Sequence, residues 1–453
     1  MFPLVSTTYD PEQRLWYGPK RKDLHSENMT LGEVICHQLK KQPNKIIQIH
    51  DGTGATNIRE LLKLNKEETE DDTDFSYPCF DLHGDDTALI VFSSGTTGPA
   101  KGVLCSHGSL LSQEYAPNFT TESILFGFSP MYWISGIWAL TTSLLHTCCR
   151  IITENEFSTE YFLDLVEKQK ITHILMNASH VAEVALLENI PKVQEKLKSV
   201  VVFLAGGSII PPVVHERMER ILPNTRERPG FMVAYGMSEL AGLVSMNGIT
   251  SRQRRMGTVG QLVANRIVRL IDDSGKSLGP NEFGEICVNM QHCNWKGYFK
   301  NEQATKHVLV DNWLYTGDIG HFDTEGFLHF CTRGNDVFKS RNFQIYPQIL
   351  EGLIAKLPGV FNVCVVGIPD IVATHLTAAA IVRTSDREGQ CLTAKAIYDH
   401  VSGNIAAMYH LHGGIYFFES LPKTSTGKML RKHVLEMVVK KSSKESNNFK
   451  EIN

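Results

Sequence analysis

The segment Ser93-Ser94-Gly95-Thr96-Thr97-Gly98-Pro99-Ala100-Lys101-Gly102 follows directly on an apolar run, Ala88-Leu89-Ile90-Val91-Phe92. Four hydroxyls, three glycines and one lysine are what a phosphate cradle requires. Backbone N–H groups and hydroxyls surround the anion, and the lysine supplies compensating charge. The spacing is not that of the kinase and GTPase P-loop, which needs Gly-Lys-Ser/Thr; here Lys101 stands between Ala100 and Gly102. The chemistry on offer is therefore the handling of a polyphosphate by a loop of another kind.

Such a loop must be held by a layered scaffold, and the chain reads as one. Thr30 and Glu33 form a capping-box pair predicting a helix over residues 31–41, which Pro43 ends. Residues 45–50 read as a strand and residues 51–54 as a turn; residues 59–66 read as a helical scrap and the acidic run 67–74 as a solvated loop. Apolar strands at 88–92, 172–176, 199–204 and 230–234 alternate with helical patterns at 162–170, 181–188 and 212–221. That alternation predicts an α/β layer with mostly parallel strands. From about residue 257 the texture turns to short strands and Gly-rich turns, as at 284–288 and 326–330. A smaller α+β unit follows, with helices over 347–357 and 394–405 and strands over 362–367, 378–382 and 415–418. The expected domains are a large one over residues 1–332, a small lid over 333–440 and a polar tail over 441–453.

The 453 residues exceed what one compact core holds, and 42% hydrophobic content suits buried cores. A net charge of −4 offers no bulk attraction to nucleic acid or anionic lipid, and there is no basic stripe or RNP-like aromatic set. The ten cysteines contain no CxxC pair, which argues against zinc ribbons and a disulfide framework and for reduced core fillers. Residues 123–149 carry no Asp, Glu, Lys or Arg, but Pro130, Gly136 and several hydroxyl residues interrupt them, so a buried strand–turn–helix is expected rather than a membrane span. No targeting signal stands out and the end is not a peroxisomal SKL; a cytoplasmic protein is expected, with a peroxisomal one possible on family grounds.

The loop resembles the signature of the adenylate-forming superfamily, which includes acyl-CoA synthetases, 4-coumarate-CoA ligases and insect luciferases. Further segments follow in that family's order: Ala205-Gly206-Gly207-Ser208, Tyr235-Gly236-Met237-Ser238-Glu239, Gly284-Glu285-Ile286-Cys287-Val288, Tyr315-Thr316-Gly317-Asp318, then Arg333 with Asp336 and Lys339, and Pro422-Lys423-Thr424-Ser425-Thr426-Gly427-Lys428. The resemblance implies an ATP-dependent ligase that joins a carboxylic acid to AMP, releases pyrophosphate and passes the acyl group to coenzyme A. Two anions must meet, so donors and positive charge must gather at the phosphates. It implies that Ser93, Ser94, Gly95, Thr96, Thr97 and Lys101 hold the β and γ phosphates, that Ser238 bonds the α-phosphate and that Glu239 holds Mg²⁺. Tyr235 with Gly236 would face adenine, Gly206, Gly207 and Ser208 would line the base pocket, and Asp318 with Arg333 would take the ribose hydroxyls. Lys428 resembles the lysine of adenylation and Lys339 the alternative lysine used when the lid rotates about Arg333-Gly334-Asn335, with CoA entering along Arg341, Asn342 and Gln344.

The departures bear on specificity. Tyr132 and Trp133 stand where many relatives carry a His-His or a Phe/His pair at the acyl tunnel; the expected role of Trp133 is to plug or reshape that tunnel, with a pure core role as the alternative, and Ala234, in place of a frequent glycine, would narrow the pocket floor. Asn342 replaces a glycine near CoA, and Asn335 replaces a lysine common in plant ligases. Residues 1–58 resemble the family's start and residue 59 onward the segment just before the phosphate loop. About a domain's worth of chain, roughly a hundred residues, lies between these in relatives. The resemblance thus implies an internal deletion at Ile58–Arg59, with exposed sheet edges and an exposed apolar face as its consequence. The leading expectation is an insect luciferase-like acyl-CoA synthetase acting on a medium- or long-chain fatty acid, with an aryl propenoic acid behind it. The rival is a nucleotide-binding protein made inactive by the deletion.

Overall fold

The computed structural model describes residues 6–21, 29–42, 45–51, 54–57, 82–93, 101–112, 119–210, 212–222, 230–247, 255–291, 295–340, 343–371, 373–423 and 429–445. The Ile58–Arg59 junction and the 59–66 and 67–74 segments lie outside them.

The larger sheet has nine strands, in the spatial order Gln261–Leu262, Gly242–Met246, Gly230–Met237, Val202–Gly206, His173–Asn177, Ile124–Gly127, Cys149–Ile152, Ile46–His50 and Gly54–Asn57. The inner strands from Gly230–Met237 to Ile46–His50 run parallel throughout. Antiparallel strands close both edges. Parallel strands are buried on both faces, which is why they read as unbroken apolar runs. In Val202–Gly206, Phe203 and Ala205 join a core with Phe162, Val181, Met218 and Phe231, while Val202 and Leu204 pack on the other face with Trp138, Met232 and Met246.

Helices Thr159–Gln169, Ala178–Ala185 and Pro212–Ile221 cover the first face. Helix Ile134–Leu145 covers the second, with Leu31–Lys40 against it. The expected capping box is formed: Thr30 N–H donates to Glu33 Oε2 at 2.7 Å and Thr30 Oγ1 accepts from Glu33 N–H at 3.3 Å. The uncharged stretch 123–149 is the expected strand, turn and helix, and among the described residues no helix is long and apolar enough to cross a membrane.

A seven-stranded antiparallel sheet stands beside it, built from Thr8–Asp10, Leu15–Tyr17, Ile267–Ile271, Gly284–Asn289, Trp313–Phe322, Leu309–Val310 and Leu328–Arg333. Trp16, 1% exposed, stacks on Phe322 with ring centroids 4.3 Å apart and anchors its core. The sequence reading placed only one strand before residue 88; the described part holds four, two of them three residues long. Three residues are too few to show an alternation. The small unit is a three-stranded sheet of Val360–Asp370, Thr374–Arg383 and Gly414–Phe418, with Pro347–Ile354 and Ala394–Asn404 on one face and Arg431–Glu445 on the other.

Strand Thr87–Ser93 pairs antiparallel with Lys101–Ser106 as a separate two-stranded sheet, so the Ser/Thr/Gly loop joins two strands and no helix follows it directly. One face of this hairpin buries Val91, Val103 and Cys105; on the other, Ile90 and Phe92 are 38% and 61% exposed.

Candidate active site

The C-terminal ends of two neighbouring parallel strands gather one group of the residues singled out in the sequence. In open parallel sheets this edge is where ligands bind. Val202–Gly206 ends at Gly206, followed by Gly207 and Ser208. Gly207 has φ +84, a conformation that favours glycine. Gly230–Met237 carries Ala234, Tyr235 and Gly236. A side-chain carbon on Gly236 would lie 2.3 Å from Gly242 O, so only glycine fits. The chain then makes a 3-10 turn, Ser238–Leu240, that presents Ser238 and Glu239, and leaves through Ala241 at φ 53.

The second sheet supplies a carboxylate to the same place. Asp318 lies on Trp313–Phe322, is 2% exposed, and accepts a 2.7 Å hydrogen bond from the Tyr235 hydroxyl. Thr316 Oγ1 accepts from Asp318 N–H at 3.0 Å and donates to Ile286 O at 2.7 Å, which fixes the turn. Gly317 (φ +70) donates its N–H to Glu285 Oε1. Burial, opposed by that hydrogen bond and reinforced by the charge on Asp318, holds the Glu285 carboxyl above its ordinary range. Register sets Arg333 opposite Asp318, and Gly334, which opens a single 3-10 turn, approaches Gly317 O so closely that a side-chain carbon would sit at 3.3 Å. The expected pivot is thus backed against the Thr-Gly-Asp turn.

The third component is the hairpin. Lys101 pairs in register with Ser93, whose hydroxyl donates to Lys101 O at 3.4 Å. Lys101 Nζ lies 4.8 Å from the ring centroid of Tyr298, and the Tyr298 hydroxyl donates to Glu239 Oε1 at 2.7 Å. Burial, then the adjacent Glu239 charge, drives the Tyr298 hydroxyl pKa well above its ordinary value, so it stays a donor. A lysine and a carboxylate therefore border a single tyrosine, one at its ring and one at its hydroxyl.

Comparison with known proteins decides the family. The family model "AMP-binding enzyme" matches residues 29–299, and "AMP-binding enzyme C-terminal domain" matches residues 350–428. The chain is 30% identical to 4-coumarate–CoA ligase 3 of Oryza sativa subsp. japonica over 392 residues, covering 84% of this chain and 67% of that protein. It belongs to the AMP-binding enzyme family. It is also 28% identical to 4-coumarate-CoA ligase 1 of Narcissus pseudonarcissus over 434 residues, covering 91% of this chain and 77% of that one. Among solved structures, ATP-bound MatB from Rhodopseudomonas palustris matches with a TM-score of 0.72 at 24% identity, over 80% of this chain and 70% of that chain, a likeness of fold. The chain spans 63–77% of the length of the curated relatives it matches.

Within this AMP-binding enzyme, the structure joins Tyr235 to Asp318, and Lys101 to Glu239 through Tyr298, with Gly206, Gly207, Ser208, Tyr235, Gly236, Ser238 and Glu239 on or just after two neighbouring strands. Ser94, Gly95, Thr96, Thr97, Arg341, Asn342 and Lys428 lie outside the described residues, as do the side chains of Arg333 and Gln344. Lys339 is exposed on the hairpin Phe338–Ser340/Phe343–Ile345, where its carbonyl accepts from His375 Nδ1 at 3.0 Å. Ala234 is 8% exposed on its strand. Trp133 is half-buried at the start of helix Ile134–Leu145, and Tyr132 beside it is 65% exposed with its ring edge-on to Trp133 at 5.7 Å. Tyr298 is the residue the sequence reading missed. Its only signal is a tyrosine after Lys296-Gly297, which no spacing rule marks.

Proposed function

We propose that this AMP-binding enzyme is an ATP-dependent acid–thiol ligase, forming an acyl-adenylate and transferring the acyl group to coenzyme A. The observation that carries the reading is the convergence on one sheet edge of a buried Tyr235–Asp318 pair and the Lys101–Tyr298–Glu239 array. The first suits a ribose and its base; the second suits phosphates with a divalent cation.

In this reading Ser93, Ser94, Gly95, Thr96, Thr97 and Lys101 hold the β and γ phosphates and Ser238 the α-phosphate. Tyr235, Gly206, Gly207, Ser208 and Gly236 enclose the base, and Asp318 with Arg333 orients the ribose. Among the described residues no group of three or more His, Cys, Asp or Glu could hold a metal alone. Magnesium commonly takes one or two carboxylates and completes its shell with phosphate oxygens and water, so a single half-buried Glu239 fits it. Bound there, Mg²⁺ would neutralise phosphate charge. Lys428 orients the attacking carboxylate against the α-phosphate, and Lys339 serves the thioester step as the lid turns about Gly334, with Arg341, Asn342 and Gln344 along the CoA path. Because no chemistry needs the two lysines together, one lid can present them in turn.

Trp133 and Ala234 narrow the acyl pocket, and matched relatives are named as 4-coumarate ligases. An aryl propenoic acid therefore moves ahead of the fatty acid that the sequence alone favours. A second reading, nucleotide binding without catalysis, draws on the exposed Ile90 and Phe92 face and on the internal deletion that the resemblance implies at Ile58–Arg59. ATP–pyrophosphate exchange across aryl and fatty acids, with a thermal melt alongside, separates the two. Exchange with any acid supports the ligase. A cooperative melt raised by ATP and Mg²⁺ without exchange supports binding alone.

A further inference from the structure

Tyr298 stands outside every motif of the sequence reading, yet it touches two residues that the ligase reading assigns to the nucleotide. Its position is fixed from all sides. The backbone forms a bridge with Val103, Tyr298 N–H donates to Thr305 Oγ1 at 2.9 Å, and the flanking Gly297 O and Phe299 N bond to the hairpin at 3.1 and 2.7 Å. Trp295 meets the ring edge-on at 5.0 Å, and Tyr298 is 8% exposed. A phenylalanine would satisfy all of these contacts. The hydroxyl on Glu239 Oε1 and the ring beneath Lys101 are what tyrosine adds.

Lys101 Nζ and Glu239 Oε1 border the same side chain; with that side chain removed, the ammonium and the carboxylate can pair directly, and each would then lose the charge that a metal–nucleotide ligand needs from it. A neutral hydroxyl occupies one carboxylate oxygen and leaves the other for a cation. An aromatic face holds an ammonium without neutralising it. We propose that Tyr298 is the positioning residue of the phosphate–metal end of the site, keeping Lys101 and Glu239 apart and oriented before the ligand arrives. The proposal rests on the ligase reading of the same site.

The test uses the full chain and direct binding. Mn²⁺ affinity is measured in the presence of ATP by electron paramagnetic resonance, and ATP affinity in EDTA by calorimetry. Tyr298→Phe keeps the ring and loses the hydroxyl; it is expected to weaken Mn²⁺ about tenfold, the usual cost of losing an outer-shell orienting bond, and to leave metal-free ATP affinity unchanged. Tyr298→Leu is expected to weaken both, because Lys101 and Glu239 then pair. Adding Glu239→Gln to Tyr298→Leu is expected to restore metal-free ATP binding. Wild-type Mn²⁺ affinity in Tyr298→Phe, or no restoration by Glu239→Gln, overturns the proposal while leaving the ligase reading standing. A wild-type chain that binds no ATP overturns both. If Tyr298→Leu does not melt cooperatively, the Tyr298→Phe result decides alone.

Discussion

The small unit hangs on one buried guanidinium, and its loss should be felt at two places. Arg431 opens helix Arg431–Glu445, three residues after Lys428. Its Nη1 lies 2.5 Å from Glu351 Oε1 and donates to Val365 O at 2.5 Å and Cys364 Sγ at 3.3 Å. Its Nη2 reaches Glu351 Oε2 at 3.4 Å, and Nε is 3.5 Å from Asp336 Oδ2 beside the pivot. The Arg431 and Glu351 side chains are only 14% and 15% exposed, and Glu351 Oε1 also accepts from Val365 N–H at 2.7 Å. Burial opposes the charge on Arg431, but Glu351 first and Asp336 after it outweigh that and raise its pKa. Breaking a buried pair from one side costs about 3–5 kcal/mol, because the other charge stays behind. Asp336 remains near Arg431, so Glu351→Ala should fall at the low end, about 3 kcal/mol. The double variant Arg431→Met/Glu351→Leu should cost less than the two single changes together. All five tryptophans precede residue 333 and report other parts of the chain, so hydrogen exchange in the Val360–Asp370 and Thr374–Arg383 strands is the suitable assay. A loss of about 3 kcal/mol appears there as exchange roughly a hundredfold faster. Acceleration of less than about tenfold in Glu351→Ala, or full additivity of the two changes, would refute the assignment of this network as what ties pivot, helix and sheet together.

Three further outcomes follow from the site and its surroundings. Lys428→Ala should abolish adenylate formation while retaining thioester formation from pre-made acyl-adenylate, and Lys339→Ala should show the reverse; equal loss of both steps contradicts the two-lysine assignment. Tyr235→Phe removes the donor on a carboxylate that is 2% exposed, a loss of about 1–3 kcal/mol that should appear as a roughly 5- to 150-fold higher KM for ATP with the melt little changed. His321 is held at about 4 by burial, then by His329 stacked at 4.5 Å, with Asp323 opposing; this depressed value means its contribution is whole above about 6.5 and is lost as pH falls toward 4, so the melting temperature should drop across that window and drop less in His321→Phe.

Elements governed by local signals were legible in the sequence. The Thr30–Glu33 box and the helix Pro212–Ile221 stand where the residues place them, because caps and amphipathic spacing act within a few residues. The parallel strands were legible for the opposite reason: burial on both faces demands apolar residues without a break. Lys101–Ser106 was not, since its sequence KGVLCS follows a Gly-rich loop and has no turn signal of its own. The site was legible as a set of residue types but not as a set of contacts. Tyr235 and Asp318 are 83 positions apart, Tyr298 and Glu239 are 59, and Arg431 and Glu351 are 80. Pairings at such range are set by which sheet edges meet, and no periodicity encodes that.

The hairpin carries the last consequence. Its inner face is part of the core that holds Tyr235 and Tyr298, so the strand that presents Ser93 also places Phe92 outward. A phenylalanine buries roughly 200 Å² when fully covered. At 61% exposure, about 120 Å² is left, worth about 3 kcal/mol of association between copies at ~25 cal/mol per Å². That drive opposes solubility without contributing to the site, since Lys101 and Ser93 are held by the other face and by the backbone ladder. Phe92→Ser should therefore lower light scattering on warming while leaving the affinity for ATP as it was. Unchanged scattering would show that this face is not the source of association. Reduced scattering with lost ATP affinity would show instead that Phe92 supports the loop it precedes, and that the two faces of the hairpin are not independent.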